Sequence, residues 1–239
     1  MMKVDILAIG AHPDDVELSC AGTLAKEIGG GKSVAILDLT KGELGTRGSA
    51  DIRQKEAANA AEILGVTTRI NLGFADGFFQ NDRKHQDKIV SYIRHLQPEM
   101  VLCNAISDRH PDHGRAATLV AESCFLSGLQ KMETFYEGKS QHAWRPKQLY
   151  HYIQWNNTTP DFVVDIGTEM KVKLAAVKAY KSQFYDSEST APETPISTEN
   201  FLNSIKYRAA DLGRLIGVDY AEGFTASRLI GVYSIGDLL

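Results

Sequence analysis

Twice in this chain an apolar strand pattern runs directly into a His-Pro-Asp turn and then into a helical pattern. This repeated arrangement narrows the possible folds more than any other feature of the sequence. Val4–Ile9 reads as a short buried strand, and Ala8-Ile9-Gly10-Ala11-His12-Pro13-Asp14-Asp15 carries it into a turn. Leu18, Ala21, Leu24, Ala25 and Ile28 then recur at the three- and four-residue spacing of a helix. Pro13 has a fixed φ and no backbone donor, which stiffens the turn that presents His12, Asp14 and Asp15.

The alternation continues. Ser33–Leu39 reads as a strand, followed by the glycine-rich loop Thr40–Gly48, whose glycines suit positive φ or a close approach of backbone to a ligand. Asp51–Leu64 reads as a helix stopped by Gly65, Thr67–Leu72 as a strand, and Gly73–Arg83 as a loop carrying Asp76-Gly77. Ile89, Ile93 and Leu96 mark a helix closed by Pro98. Met100–Asn104 is a further strand that runs into Ser107-Asp108-Arg109-His110-Pro111-Asp112-His113-Gly114, and Ala116–Leu129 reads as the next helix. Such alternation predicts an α/β fold with a mostly parallel sheet and right-handed crossovers. Both His-bearing loops follow strands, so both open on the carboxyl edge of that sheet, where ligands bind in open α/β folds.

The second half is less regular. Gly138–Lys147 reads as a loop, and Leu149–Gln154 and Phe162–Asp165 as strands split by the turn cluster at 156–160. Met170–Tyr180 and Phe201–Ile216 read as helices, Asp186–Thr198 as a mobile surface loop, and Gly223–Ile235 as a strand or hairpin. No linker interrupts the chain, so a single domain over 1–239 is expected.

Composition excludes several functions. The formal net charge of -4 gives no basic surface for nucleic acid. No apolar run approaches the roughly 18 residues of a membrane span. No secretory leader pattern precedes the first strand, so a cytoplasmic location is expected. Cys20, Cys103 and Cys124 are widely spaced in apolar contexts, and read as buried hydrophobes in a reducing compartment.

Alone, a His-Pro-Asp-Asp turn is a polar turn whose Asp caps the next helix. Two His-Pro-Asp turns at strand ends suggest more. Catalytic zinc takes three protein ligands and keeps a position open. His12 and Asp15 from one loop and His113 from the other make such a set. Asp14 is then left beside the metal as a general base. His110 faces the substrate from the other side, to donate a proton or stabilise an oxyanion, and Asp108 and Asp112 orient the imidazoles. The first turn lacks the G-x-G-x-x-G of a dinucleotide site, and the chain has no G-x-S-x-G elbow.

His12-Pro-Asp-Asp15 and Arg109-His-Pro-Asp-His113 resemble the two signature motifs of the PIG-L/LmbE-like zinc deacetylases. The resemblance runs nearly end to end and is strongest toward the N-acetylglucosaminyl-malate deacetylases of bacillithiol biosynthesis. It includes Gly42–Gly48, Ile52-Arg53, Asn71–Gly73, Ser182–Phe184 and Tyr220–Phe224. It implies a Rossmann-like fold and hydrolysis of an N-acetyl group on glucosamine. It also implies His12, Asp15 and His113 as ligands of one Zn2+, with Fe2+ as the alternative metal, and Asp14 and His110 as catalytic residues. The alternatives are a chitooligosaccharide or mycothiol-like substrate, or a non-catalytic metal- or sugar-binding relative. A homo-oligomer, of which hexamers are one form, is implied as well. Arg53 and Arg109 are expected to meet a substrate carboxylate, and Glu43 the sugar hydroxyls. Some relatives place a tyrosine near the oxyanion. The corresponding position here is Phe201, which leaves Tyr185 or Tyr207 as replacements.

Overall fold

The computed structural model describes residues 3–237. Strands β1 (Ile6–Gly10) and β2 (Val34–Thr40) are buried along their whole length, as parallel strands covered on both faces must be. Their side chains alternate between two cores. Ile6, Ala8, Val34 and Ile36 belong to one, and Leu7, Ile9, Ala35 and Leu37 to the other. Helices α1 (Asp15–Gly29), α2 (Ala50–Leu64), α5 (Met170–Lys178) and α6 (Glu199–Ile216) contribute to the first core. Helices α3 (Arg83–Leu96) and α4 (Pro111–Ser127) close the second. The chain is therefore a sheet with helices on both faces, as its patterning predicts.

The remaining strands are β3 (Thr68–Phe74), β4 (Met100–Cys103), the short pair β5 (Phe135–Tyr136) and β6 (Lys139–Ser140), β7 (Gln148–Tyr152), β8 (Phe162–Asp165) and β9 (Ala221–Ala226). Among the described residues, seven strands form one sheet in the order β3-β2-β1-β4-β7-β9-β8. The pairings of β1 with β2 and β4, of β2 with β3 and of β4 with β7 are parallel, whereas β9 runs antiparallel to both β7 and β8. The chain leaves β1 toward β2 and β3, then returns to β4 on the other side of β1. This reversal opens a crevice at the carboxyl ends of β1 and β4, the two strands that precede the His-bearing turns.

Three expectations are corrected. Helix α4 begins at Pro111 rather than Ala116, because His110 caps it and Pro111 occupies its first turn; this puts His113 on the helix. Residues 135–140, partly expected as loop, form a small antiparallel hairpin. The final strand ends at Ala226, and Leu229 and Tyr233 beyond it lie exposed. The 186–198 segment is irregular and largely exposed, as expected of a surface loop, and only Ser197 near its end is buried.

Candidate active site

The two turns are tied together before their functional side chains meet. Asn104, just past β4, accepts the Ala11 N–H on its Oδ1 at 2.9 Å. Its Nδ2 donates to Asp15 Oδ2 at 2.9 Å and to Gln154 Oε1 at 2.8 Å, and Gln154 Nε2 donates to Asp15 Oδ1 at 3.0 Å. Asp15 Oδ2 also accepts the His12 N–H at 2.9 Å, so Asp15 is fixed by groups from three segments. Asp14, the N-cap of α1, has φ 109°, a conformation that is strained for any residue with a side chain. Such strain persists where surrounding contacts over-determine it, and it gathers at functional sites.

The Asp15 carboxylate lies between the two imidazoles. Its Oδ2 is 3.6 Å from His12 Nδ1, and its Oδ1 is 3.2 Å from His113 Nε2. Each imidazole is held through its other nitrogen by carboxylates. His12 Nε2 donates to Asp76 Oδ1 at 3.0 Å and to Asp112 Oδ2 at 3.2 Å, and His113 Nδ1 to Asp108 Oδ2 at 2.6 Å. These bonds set both tautomers and aim His12 Nδ1 and His113 Nε2 toward Asp15. Carboxylates that orient metal-binding histidines have this arrangement. His12, His110 and His113 also each offer a ring nitrogen within 4.8 Å of one another. The His110 ring lies 4.6 Å from that of His12 and 5.2 Å from that of His113. Its Nδ1 accepts the Asp112 N–H at 3.2 Å, so in the neutral ring Nε2 carries the proton.

The electrostatics suit a cation. Asp14, Asp15, Asp76 and Asp112 are all buried here. Burial opposes charge on His113, yet the Asp15 charge and the Asp108 hydrogen bond outweigh it and lift the pKa to about 9. Burial also opposes charge on His12, and hydrogen bonds to Asp112, Asp15 and Asp76 still lift it well above the usual imidazole range. The imidazoles thus take up positive charge to balance the carboxylates. A divalent ion held by imidazole and carboxylate would balance them in the same way, and this donor set suits zinc or iron. His110 differs: burial and the neighbouring histidines push its pKa down.

Asp14 is held by Arg53, whose Nη2 donates to Asp14 Oδ2 at 2.7 Å. Burial raises the Asp14 carboxyl to about 7, against the Arg53 charge that draws it down. That value matches a general base working near neutrality. Arg53 also donates to the carbonyls of Pro13 and Gly42. A Cβ at Gly42 would meet its Nη1 at 2.0 Å, so only glycine fits there. Arg53 lines the cavity over this cluster, and its two terminal nitrogens also hold Asp14 and the two turns together.

A cavity of about 380 Å³ opens over this cluster, lined by His12, Asp14, Asp15, His110 and His113 among others. Arg109 is exposed at its mouth with its guanidinium 4.4 Å from the Trp155 ring centre. Phe201 lines the cavity and stacks on Trp155 at 5.5 Å. Tyr185 and Tyr207 are exposed and line no part of it, so neither replaces the oxyanion tyrosine. Glu43 lies outside the lining too. Its carboxylate accepts the backbone N–H groups of Asp76 and Lys41, a loop tie in place of the expected sugar contact. Sequence reasoning gave no role to Asp76, Asn104, Gln154 or Trp155. Of these only Asp76 had a visible signal, an Asp-Gly loop following a strand.

Comparison with known proteins agrees with this geometry. The sequence pattern of the PIG-L family, described as GlcNAc-PI de-N-acetylase, matches residues 7–124. A diacetylchitobiose deacetylase of Thermococcus kodakarensis is 32% identical over 231 residues, covering 91% of this chain and 81% of that protein. A probable N-acetyl-alpha-D-glucosaminyl L-malate deacetylase 2 of Bacillus anthracis is 29% identical over 147 residues, 55% of this chain and 64% of its own. The crystal structure of a conserved protein of Thermus thermophilus superposes with a TM-score of 0.85 at 36% identity, covering 97% of this chain and 99% of that one.

Proposed function

The chain belongs to the PIG-L family and is an N-deacetylase acting on N-acetylglucosamine-type substrates; from that premise we propose that its substrate is an N-acetylglucosamine conjugate with a carboxylate-bearing aglycone, N-acetylglucosaminyl-malate above all. The observation that carries the site assignment is Asp14 held beside the converging His12, Asp15 and His113 in an open cavity. Arg109 supports the malate conjugate. It stands at the mouth and, among the described residues, forms no ion pair with an acidic side chain, so its fork is open to a carboxylate.

His12, Asp15 and His113 would hold one zinc ion, with iron as the alternative. Such an ion supplies Lewis-acid polarisation of the acetyl carbonyl and acidifies water. Asp14 takes the proton of the attacking water, and Arg53 keeps its carboxylate in place. His110, with its proton on Nε2, donates to the oxygen that becomes negative as the carbonyl carbon turns tetrahedral. Asp14 then returns the proton to the sugar nitrogen as the C–N bond breaks and acetate departs. We read 1–239 as one catalytic domain, because β7, β8 and β9 of the second half extend the sheet of the first.

A second reading, deacetylation of diacetylchitobiose, draws support from the aromatic face of Trp155 and Phe201, which suits a second sugar ring, and from the Thermococcus relative. The test compares kcat/KM for acetate release from the two substrates, with metal content measured alongside. Preference for the malate conjugate, lost about 10- to 100-fold in Arg109→Met, supports the first reading. Preference for diacetylchitobiose, unmoved by that substitution, replaces it with the second.

A further inference from the structure

The cavity does not end at the histidine cluster. From Asp15 it continues past Leu18 and Ser19 on α1 to Lys173 and Glu222, with α6 and β9 forming its opposite wall. Glu222 marks the floor, where its Oε1 accepts the Gly22 N–H at 3.0 Å. Ser19 and Gly22 lie four and seven residues along α1 from Asp15, so at ~1.5 Å per residue the branch reaches about 6 to 10 Å below the reaction centre. An extended chain advances about 3.3–3.6 Å per three bonds, which makes the branch roughly five to eight bonds deep.

Its walls and floor differ in character. Leu18, Ile196, Ile205, Ala209, Leu212 and Ala221 make the walls apolar. The floor is polar but electrically balanced. Lys173 and Glu222 are 2% and 3% exposed and paired, and Lys173 Nζ also donates to the Leu18 carbonyl at 2.8 Å. On the way to this floor, Ser19 Oγ is buried and, among the described residues, has no hydrogen-bond partner. Buried hydroxyls are seldom left unpaired, so this one points to a group that completes it.

We propose that this branch binds the acyl part of an N-acyl amino sugar, a neutral chain of about six carbons whose distal hydroxyl meets Ser19. The inference rests on the deacetylase reading and widens its substrate class. A sugar ring is the wrong occupant, since its hydroxyls would be stripped of water against the apolar walls. A carboxylate at the chain end is also wrong, because Glu222 already balances Lys173 and a second buried anion would be uncompensated. The reaction is unchanged in kind. Water adds its oxygen to the acyl carbon, the C–N bond breaks, and the amine keeps a proton while the hydroxy acid is released.

The experiment measures kcat/KM of the full chain, metal-loaded, on glucosamine bearing N-acetyl, N-hexanoyl or N-hydroxyhexanoyl groups, the last with its hydroxyl on the terminal carbon. The hydroxyhexanoyl substrate is expected within about tenfold of acetyl and about tenfold above plain hexanoyl, one hydrogen bond's worth. Ser19→Ala is expected to abolish the difference between the two long chains. Ala209→Phe and, from the half-exposed part of the wall, Leu212→Trp are each expected to lower the long-chain to acetyl ratio about tenfold, the scale of a steric block. Release of acetate alone overturns the inference and leaves the deacetylase reading standing. Equal rates on the two long chains in the unaltered protein, or ratios unmoved in both blocking variants, overturn it as well. No release from any substrate overturns the deacetylase reading and the inference with it.

Discussion

Arg53 Nη2 lies 2.7 Å from Asp14 Oδ2, and the same nitrogen reaches the Pro13 carbonyl, so one guanidinium fixes both the carboxylate and the backbone of the first turn. The contact joins α2 to the cap of α1 across 39 residues of sequence. It holds Asp14 in its strained conformation and opposes the rise in its pKa that burial causes.

Removing either partner therefore separates chemistry from metal binding. Asp14→Asn is expected to lower kcat by about 10²–10⁴, the usual contribution of a positioned base. Arg53→Met is expected to lower it by a smaller factor, since the base remains but is no longer aimed. Metal analysis should find both variants loaded like the unaltered protein. Loss of metal in proportion to loss of activity would place Asp14 among the ligands.

His110→Ala removes the donor facing the reacting carbonyl oxygen. A donor of this kind is typically worth about 2.7–4 kcal/mol, so kcat is expected to fall about 10²- to 10³-fold with little change in KM. Steady-state kinetics on a single substrate decide it. An effect confined to KM would show that His110 binds substrate without stabilising the transition state.

Asp108→Asn leaves His113 in place but weakens the acceptor on its Nδ1. Partners of this kind typically contribute 10- to 100-fold in metal affinity, so competition with a chelator is expected to show about that loss. Unchanged affinity would mean that His113 does not hold the ion.

Lys173 and Glu222 form an ion pair buried between α5 and β9 against the backbone of α1. Lys173→Met leaves a buried carboxylate without its counter-charge, and the expected loss of stability is about 3–5 kcal/mol in urea unfolding. The double variant Lys173→Met/Glu222→Leu is expected to recover part of it. A double variant no more stable than the single would show that the carboxylate's bonds to the Gly22 and Thr23 N–H groups matter more than the charge pair.

All three cysteines are buried and free. Burial pushes the Cys124 thiol up to about 12 and raises Cys20 and Cys103 well above the usual thiol range. Since the thiolate is the reactive form, the native protein is expected to resist a thiol reagent near neutral pH and to react at all three sites when unfolded. Rapid labelling of the native chain would contradict the burial.

The amino-acid sequence by itself determined the alternation of strands and helices, the two-sided burial of the first strands, and the placement of both His-Pro-Asp turns at strand ends. These are local properties, because side-chain period and turn chemistry are written in neighbouring residues. The convergence of His12, Asp15 and His113 followed from them by one topological rule, that parallel strands present their carboxyl ends on one edge. Tertiary structure alone decided which partners the polar side chains took. Arg53 took Asp14 as a partner, Glu43 turned from sugar to backbone, and Asp76, Asn104 and Gln154 entered the site with almost no local mark. A hydrogen bond between residues dozens of positions apart has no periodicity to read. It depends on which strand lies beside which, and on the few tenths of an ångström that bring a donor within reach of its acceptor.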